Sequence, residues 1–134
     1  MQLLRLRPAF VGCEVTFVTV RDSYRSQVLG CGFIAVNDAT RWNKLSLLRL
    51  AFRMFRIVRS LRPDVIVSTG AAPGYFALRF GRWLGARTLW IDSIANVEEV
   101  SLSGRRIASH VDAAFTQWKH LENTPGFRHR GAVL

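Results

Sequence analysis

Pro63 constrains this chain more than any other residue, because it stands where a helical period gives way to a strand. From Lys44 to Arg62 the apolar residues Leu47, Leu48, Leu50, Ala51, Met54, Phe55, Ile57, Val58 and Leu61 fall on one half of a wheel at about 100° per residue. Arg49, Arg53, Arg56 and Arg59 occupy the other half. That pattern predicts an amphipathic helix, and Pro63 ends it. Val65-Ile66-Val67 follows as a short, wholly apolar strand suited to a sheet covered on both faces. Ser68 to Gly74 makes a small-residue loop, Pro73 suits the start of a helix over Gly74–Leu84, Gly85 suits its cap, and Thr88-Leu89-Trp90-Ile91 is the next strand. Strand, helix and strand in so short a span require a parallel crossover, so the fold class is α/β with a Rossmann-like parallel sheet.

The flanks extend that pattern. Gln2-Leu3-Leu4-Arg5-Leu6-Arg7-Pro8 reads as the tail of a helix closed by Gly12, and Glu14–Val20 as a β-branched strand. Residues 21–31 form a polar loop, and Phe33-Ile34-Ala35-Val36 a second short strand ending at Asn37-Asp38. Beyond Asp92 come a loop, a short helix near Ser103–Ser109, the strand Ala113–Thr116 and a terminal apolar stretch, Ala132-Val133-Leu134. With 134 residues the chain holds one core, and residues 1–134 are expected to be a single domain.

The net charge of +10 is uneven: residues 1–62 carry 11 basic and 3 acidic groups, residues 63–134 carry 8 and 6. Such an excess favours an anionic partner: nucleic acid, an anionic membrane surface or a phosphorylated substrate. Cys13 and Cys31 have neither zinc nor disulfide-scaffold spacing and fit a reducing cytoplasmic setting. Arg residues interrupt every hydrophobic run in the first half, so no transmembrane segment is expected, and Arg5, Arg7 and Pro8 stand where a signal peptide needs an apolar core.

In an open parallel sheet, ligands bind beyond the carboxyl ends of the strands. The loops Thr69–Gly74, Asp92–Val97 and Gln117–His120 should therefore share one edge. The first has the small residues that let backbone N–H groups approach a phosphate or a sugar hydroxyl, but no Walker sequence follows, and a plain βα turn needs the same glycines. Asp92, Ser93 and Asn96 follow an apolar strand, where a carboxylate binds hydroxyls, takes a proton or caps a helix. Trp118 suits stacking on a sugar, a partner contact or a place in the core. His110, His120 and His129 have no metal spacing and receive no catalytic role, and no metal site is expected. The all-positive stripe Arg49, Arg53, Arg56 and Arg59, with no interleaved Glu, suits an anionic membrane surface.

Pro63-Asp64-Val65-Ile66-Val67-Ser68-Thr69-Gly70, then Trp90 to Val97, Ser101-Leu102-Ser103-Gly104, Asp112 and Thr116-Gln117-Trp118 together resemble one family. It is the oligosaccharide-biosynthesis glycosyltransferase subunits of the asparagine-linked glycosylation type, with their bacterial exopolysaccharide relatives. The resemblance implies the N-terminal, Rossmann-like half of a GT-B glycosyltransferase split into two polypeptides. This half would attach peripherally to the cytoplasmic face of the membrane and bind a lipid-linked saccharide acceptor. No cofactor would be bound by this chain; a partner subunit with the C-terminal half would hold the UDP-sugar. Carried over, Thr69, Gly70, Ser93, Asn96, Ser101, Ser103 and Gly104, with Gly74 beside them, would line the acceptor site or partner interface. Gln117 and Trp118 match the family motif without a derivable chemical role. A catalytic base supplied by this half would be Asp92, where relatives often have Glu, one methylene longer.

The opening departs from the family, whose members begin with a strand and a Gly-Gly-His-type loop before the first helix. Here that strand is missing, and in a doubly wound sheet it would be central, so a truncated start is expected. A small basic nucleic-acid-binding module is the rival reading, weakened because no RNA or DNA recognition motif accompanies the arginines.

Overall fold

The computed structural model describes residues 2–39 and 43–132. Among the described residues, six strands run parallel in two ladders. The strand β1 (Thr16–Thr19) pairs with β2 (Gly32–Ala35). The larger ladder has β3 (Val65–Ser68), β4 (Arg87–Ile91), β5 (Ala113–Thr116) and β6 (Phe127–His129) in that order. Among the described residues the α-helices are α1 (Gln2–Arg5) ahead of β1, α2 (Lys44–Leu61) between β2 and β3, α3 (Ala71–Trp83) between β3 and β4, and α4 (Leu102–Ile107) between β4 and β5. The expected α/β Rossmann-like class is what the chain adopts.

Two clusters hold the layers together. One gathers Leu78, Trp90, Val100, Ile107, Val111, Ala114, Leu121 and Phe127 beneath the four-stranded ladder. The other gathers Val36, Leu50, Met54, Val58 and Ala77, with Val18, Ile34 and Ile66 packed against it. Val18 and Ile34 belong to the small ladder and Ile66 to the large one, so the pair α2 and α3 joins them from one face. Gly81 of α3 packs closely on β3, the tip of the Ile66 side chain filling the space a Cβ would take. Among the described residues no ladder joins β1 to β3.

The helices depart from the sequence reading in instructive ways. Leu48 and Leu61 were placed on the apolar half of α2, but both are exposed, and the buried line is Leu50, Met54 and Val58. The helix α3 begins at Ala71 rather than Gly74, with Gly70 at its N-cap and Pro73 inside the first turn, where an amide hydrogen would have no helical partner anyway. Gly85, at φ 89°, closes it as expected. The loop 21–31 contains a 3-10 segment, Asp22–Val28, and the strand expected over Glu14–Val20 shortens to β1. The last strand is Phe127–His129, not Ala132–Leu134; Ala132 is irregular and Val133 and Leu134 lie outside the described residues. Its pairing with β5 makes β6 a strand, whereas its Arg and His gave no apolar signal.

Arg62 closes α2 in the left-handed region at φ 47°, donating its N–H to the carbonyl of Val58 at 3.0 Å. A side chain there costs about 1 kcal/mol relative to glycine. Arg62→Gly should therefore raise stability by roughly 0.5–1 kcal/mol in denaturant unfolding.

At the amino ends of β4 and β5, the Asp112 carboxylate accepts hydrogen bonds from Thr88 N at 2.8 Å and Thr88 Oγ1 at 3.1 Å. The backbone bond from Thr88, helped by its hydroxyl and the charges of Arg82 and Arg87, holds Asp112 below the usual carboxylate range against the opposing effect of burial. A group depressed in the folded state stabilises it above the unfolded value, near pH 4, and that contribution fades as pH falls through the folded value. Thermal unfolding of Asp112→Asn should consequently show a weaker loss of stability below pH 4 than the parent.

Candidate functional site at the carboxyl edge of the sheet

The sequence places the polar residue Asp92 directly after β4, and the fold then buries it, leaving it 2% exposed. A buried carboxylate must be paired or hydrogen-bonded, and this one is satisfied by neutral donors alone. Trp90 Nε1 and Ser101 Oγ donate to Oδ1 at 3.1 and 2.6 Å; Asn96 Nδ2 and Ser101 N donate to Oδ2 at 3.1 and 2.8 Å. Ser101 is at the same time the N-cap of α4, accepting from Gly104 N at 2.9 Å. One carboxylate thus fixes the loop after β4, the start of α4 and the indole at the centre of the core.

Gly104 is required by the same cluster. A Cβ there would lie 2.9 Å from Ser101 Oγ, 2.9 Å from Trp90 Nε1 and 3.0 Å from Asp92 Oδ1. Its role is close packing of α4 against the carboxylate.

The third loop is tied to the second through backbone groups. Gln117 Nε2 donates to the carbonyl of Asp92 at 3.3 Å, and the indole N–H of Trp118 donates to the carbonyl of Ile94 at 2.9 Å. Trp118 N donates to Thr116 Oγ1, and His120 Nε2 lies 2.6 Å from the carbonyl of Val97. Gln2 completes the set from the other end of the chain: its Nε2 donates to the carbonyl of Asp92 at 3.3 Å and its Oε1 accepts from Ile94 N at 3.1 Å. No motif marks Gln2, so sequence reading had no means to find it.

The first loop lies beside this network, since Ser68 is in register with Trp90. Gly70 holds φ 137° and Ala71, with a side chain, holds φ 67°. Thr69 and Gly70 are half-buried at the edge. Gly74 is a helix residue whose missing Cβ makes room for the side chain of Ser68, so local packing explains this glycine.

Asp92, Ser93, Asn96, Ser101, Gly104, Gln117 and Trp118 thus converge. Ser93 accepts from Ala95 N and stays half-buried, as do Asn96 and Trp118. Ser103 is half-buried on the first turn of α4. Arg49, Arg53, Arg56 and Arg59 are exposed along α2, apart from this network. Among the described residues no group of three or more His, Cys, Asp or Glu is placed to hold a metal ion.

The sequence offers Asp92 as a proton acceptor; in the structure its two oxygens accept four hydrogen bonds from protein donors, which tie the loop after β4 to α4. Accessible polar groups come instead from Thr69, Ser93 and Asn96.

Residues 35–133 match the family described as oligosaccharide biosynthesis protein Alg14 like. The chain belongs to that family. The match covers α2 through β6 and therefore every loop of this edge. The chain is also 30% identical over 86 residues to the UDP-N-acetylglucosamine transferase subunit ALG14 of Yarrowia lipolytica, across 59% of this chain and 40% of the relative. Its fold superposes on the crystal structure of Acinetobacter baumannii MurG with a TM-score of 0.72, covering 96% of this chain and 40% of MurG at 11% identity. The likeness to MurG speaks for the fold. This Alg14-like chain spans two-fifths of the length of either relative.

Replacing Asp92 with Asn turns an N–H group toward donors that need an acceptor. Asp92→Asn in the Alg14-like chain should lower the unfolding free energy by about 2 kcal/mol or more, measured by denaturant titration with Trp90 emission as one probe.

Proposed function

We propose that this chain is the acceptor-binding, membrane-associating subunit of a UDP-sugar-dependent glycosyltransferase of polysaccharide or lipid-linked oligosaccharide biosynthesis. The family match over residues 35–133 carries the reading, because it contains all three loops of the carboxyl edge. A single Rossmann-like unit supplies one wall of a two-domain cleft, so a partner polypeptide with the second half would bind the UDP-sugar, and this chain itself would bind no cofactor.

In this reading Thr69, Gly70, Ser93, Asn96 and Trp118 face the lipid-linked acceptor or the partner, while Asp92, Ser101, Gly104 and Gln117 hold them in position. Ser103 belongs to the same rim. The acceptor oxygen bonds to the anomeric carbon as the bond from that carbon to UDP breaks, and this half orients the acceptor. The acceptor hydroxyl gives its proton to a base on the partner half rather than to Asp92, whose oxygens are occupied by protein donors. The complex would act at the cytoplasmic face of the membrane, with this chain peripheral. Among the described residues no helix is long and apolar enough to cross a membrane.

The test is co-expression of the chain with a polypeptide carrying the nucleotide-sugar half, followed by transfer from radiolabelled UDP-N-acetylglucosamine to native membranes. Transfer should require both chains, and Ser93→Trp should reduce it tenfold or more with the melting temperature unchanged. Full transfer by the partner alone, or by the pair carrying Ser93→Trp, would defeat the assignment.

A further inference from the structure

Among the described residues β2 pairs with β1 alone, so its other edge carries no strand. Gly32 N and Val36 N donate across the ladder to the carbonyls of Val15 and Thr19. Backbone groups alternate along a strand, and the N–H and C=O of Phe33 and Ala35 therefore point away from β1. Arg53 marks that outward side, its Nη2 donating to the carbonyl of Ala35 at 2.8 Å. The N–H and carbonyl of Phe33 and the N–H of Ala35 are left open along the edge.

A groove of about 550 Å³ lies between this strand and α2. Ile34, Phe52, Ile57 and Leu61 give it an apolar lining, and Arg53 and Arg56 bring positive charge to it. Arg53 lines the groove and also reaches the Ala35 carbonyl, so the groove adjoins the open edge. Phe52 is 64% exposed and Leu61 45%, which leaves the lining uncovered by the described chain. The charge is unopposed as well: α2 contains no Asp or Glu, and among the described residues neither arginine forms an ion pair.

We propose that this groove takes an extended segment of a partner protein, which adds itself to β2 as a further strand. Two carbonyls of the segment accept from Phe33 N–H and Ala35 N–H, and one of its N–H groups donates to the Phe33 carbonyl, whichever way the segment runs. Its side chains on the face of Ile34 enter the groove at every second position. The segment that fits therefore sets an apolar residue against Ile57 and Leu61 and, two positions away, a carboxylate toward Arg56. The open edge decides the class of occupant, because it offers a carbonyl between two N–H groups at strand spacing. A phosphate surface only accepts hydrogen bonds, whereas another polypeptide backbone matches that sequence of donors and acceptor. None of the residues of the carboxyl-edge network takes part, and the proposal stands apart from the transferase reading.

The probe is the acetylated, amidated heptapeptide Thr-Val-Thr-Glu-Thr-Val-Thr, titrated into the full chain labelled with nitrogen-15. Binding should slow hydrogen exchange at the amides of Phe33 and Ala35 by about tenfold or more and leave the amides of the carboxyl-edge loops unchanged. Methylating the backbone nitrogens of one alternate set of peptide residues should abolish binding, and methylating the other set should spare it, which also reads out the direction of the added strand. Arg56→Glu, a change at an exposed position, should weaken the peptide about tenfold, and the peptide with Lys in place of Glu should regain that loss on the variant. Thermal unfolding checks that the variant is folded, and the methylated peptides test the edge on the unaltered chain. Absence of saturable binding at millimolar peptide, unprotected Phe33 and Ala35 amides in the complex, or unchanged binding of both methylated peptides overturns the proposal. So does displacement of the peptide by phosphatidylglycerol vesicles or single-stranded oligonucleotide with those two amides unprotected throughout, which would mark a plain cationic surface.

Discussion

The carboxylate of Asp92 is the interaction on which the rest of the carboxyl edge depends. It sits at the end of β4, in the middle of the larger ladder, where water cannot solvate it. A buried charge without a cation needs several well-directed donors, and the chain supplies them from three places: the indole of Trp90, the amide of Asn96 and both polar groups of Ser101. Because Ser101 also caps α4, satisfying this one group sets the position of a helix, a loop and the largest core side chain together. Gly104 follows as a steric necessity, since any side chain there would press on the same atoms.

From this anchor the edge is extended by backbone carbonyls. Those of Asp92 and Ile94 receive Gln117, Trp118 and Gln2, so the loop after β5 and the start of the chain are both fastened to the loop after β4. The buried groups are thereby used up in support, and Thr69, Ser93 and Asn96 lie half-buried at the rim above them. In the function proposed above, this division would give rigidity from the buried groups and leave the rim to the acceptor or partner.

The opposite problem is solved on the helical face. The helices α2 and α3 bridge two ladders that share no hydrogen bonds among the described residues, and they do so with Leu50, Met54, Val58 and Ala77 pointing inward. Among their outward residues Arg53 ties α2 to β2, its Nη2 donating to the carbonyl of Ala35 at 2.8 Å. Leu45, Leu48, Phe52 and Trp83 stay exposed although each would gain by burial.

The sequence by itself determined the layer architecture. The 3.6-residue period of Lys44–Leu61, the stop at Pro63 and the short apolar strands on either side of α3 leave no alternative to parallel crossovers, and the observed elements differ by a few residues at their ends. It also brought out the three loops of the candidate site, because strand order in such folds puts them on one edge. Tertiary structure alone decided three things. Pairing with β5, not composition, made Phe127–His129 a strand. Which residues of α2 face water depends on where α3 lies against it, and Leu48 therefore ended outside although it shares the apolar half of the wheel. Whether Asp92 serves chemistry or architecture depends on donors 2 to 9 positions away along the chain, whose convergence arises from folding and leaves no mark in local sequence.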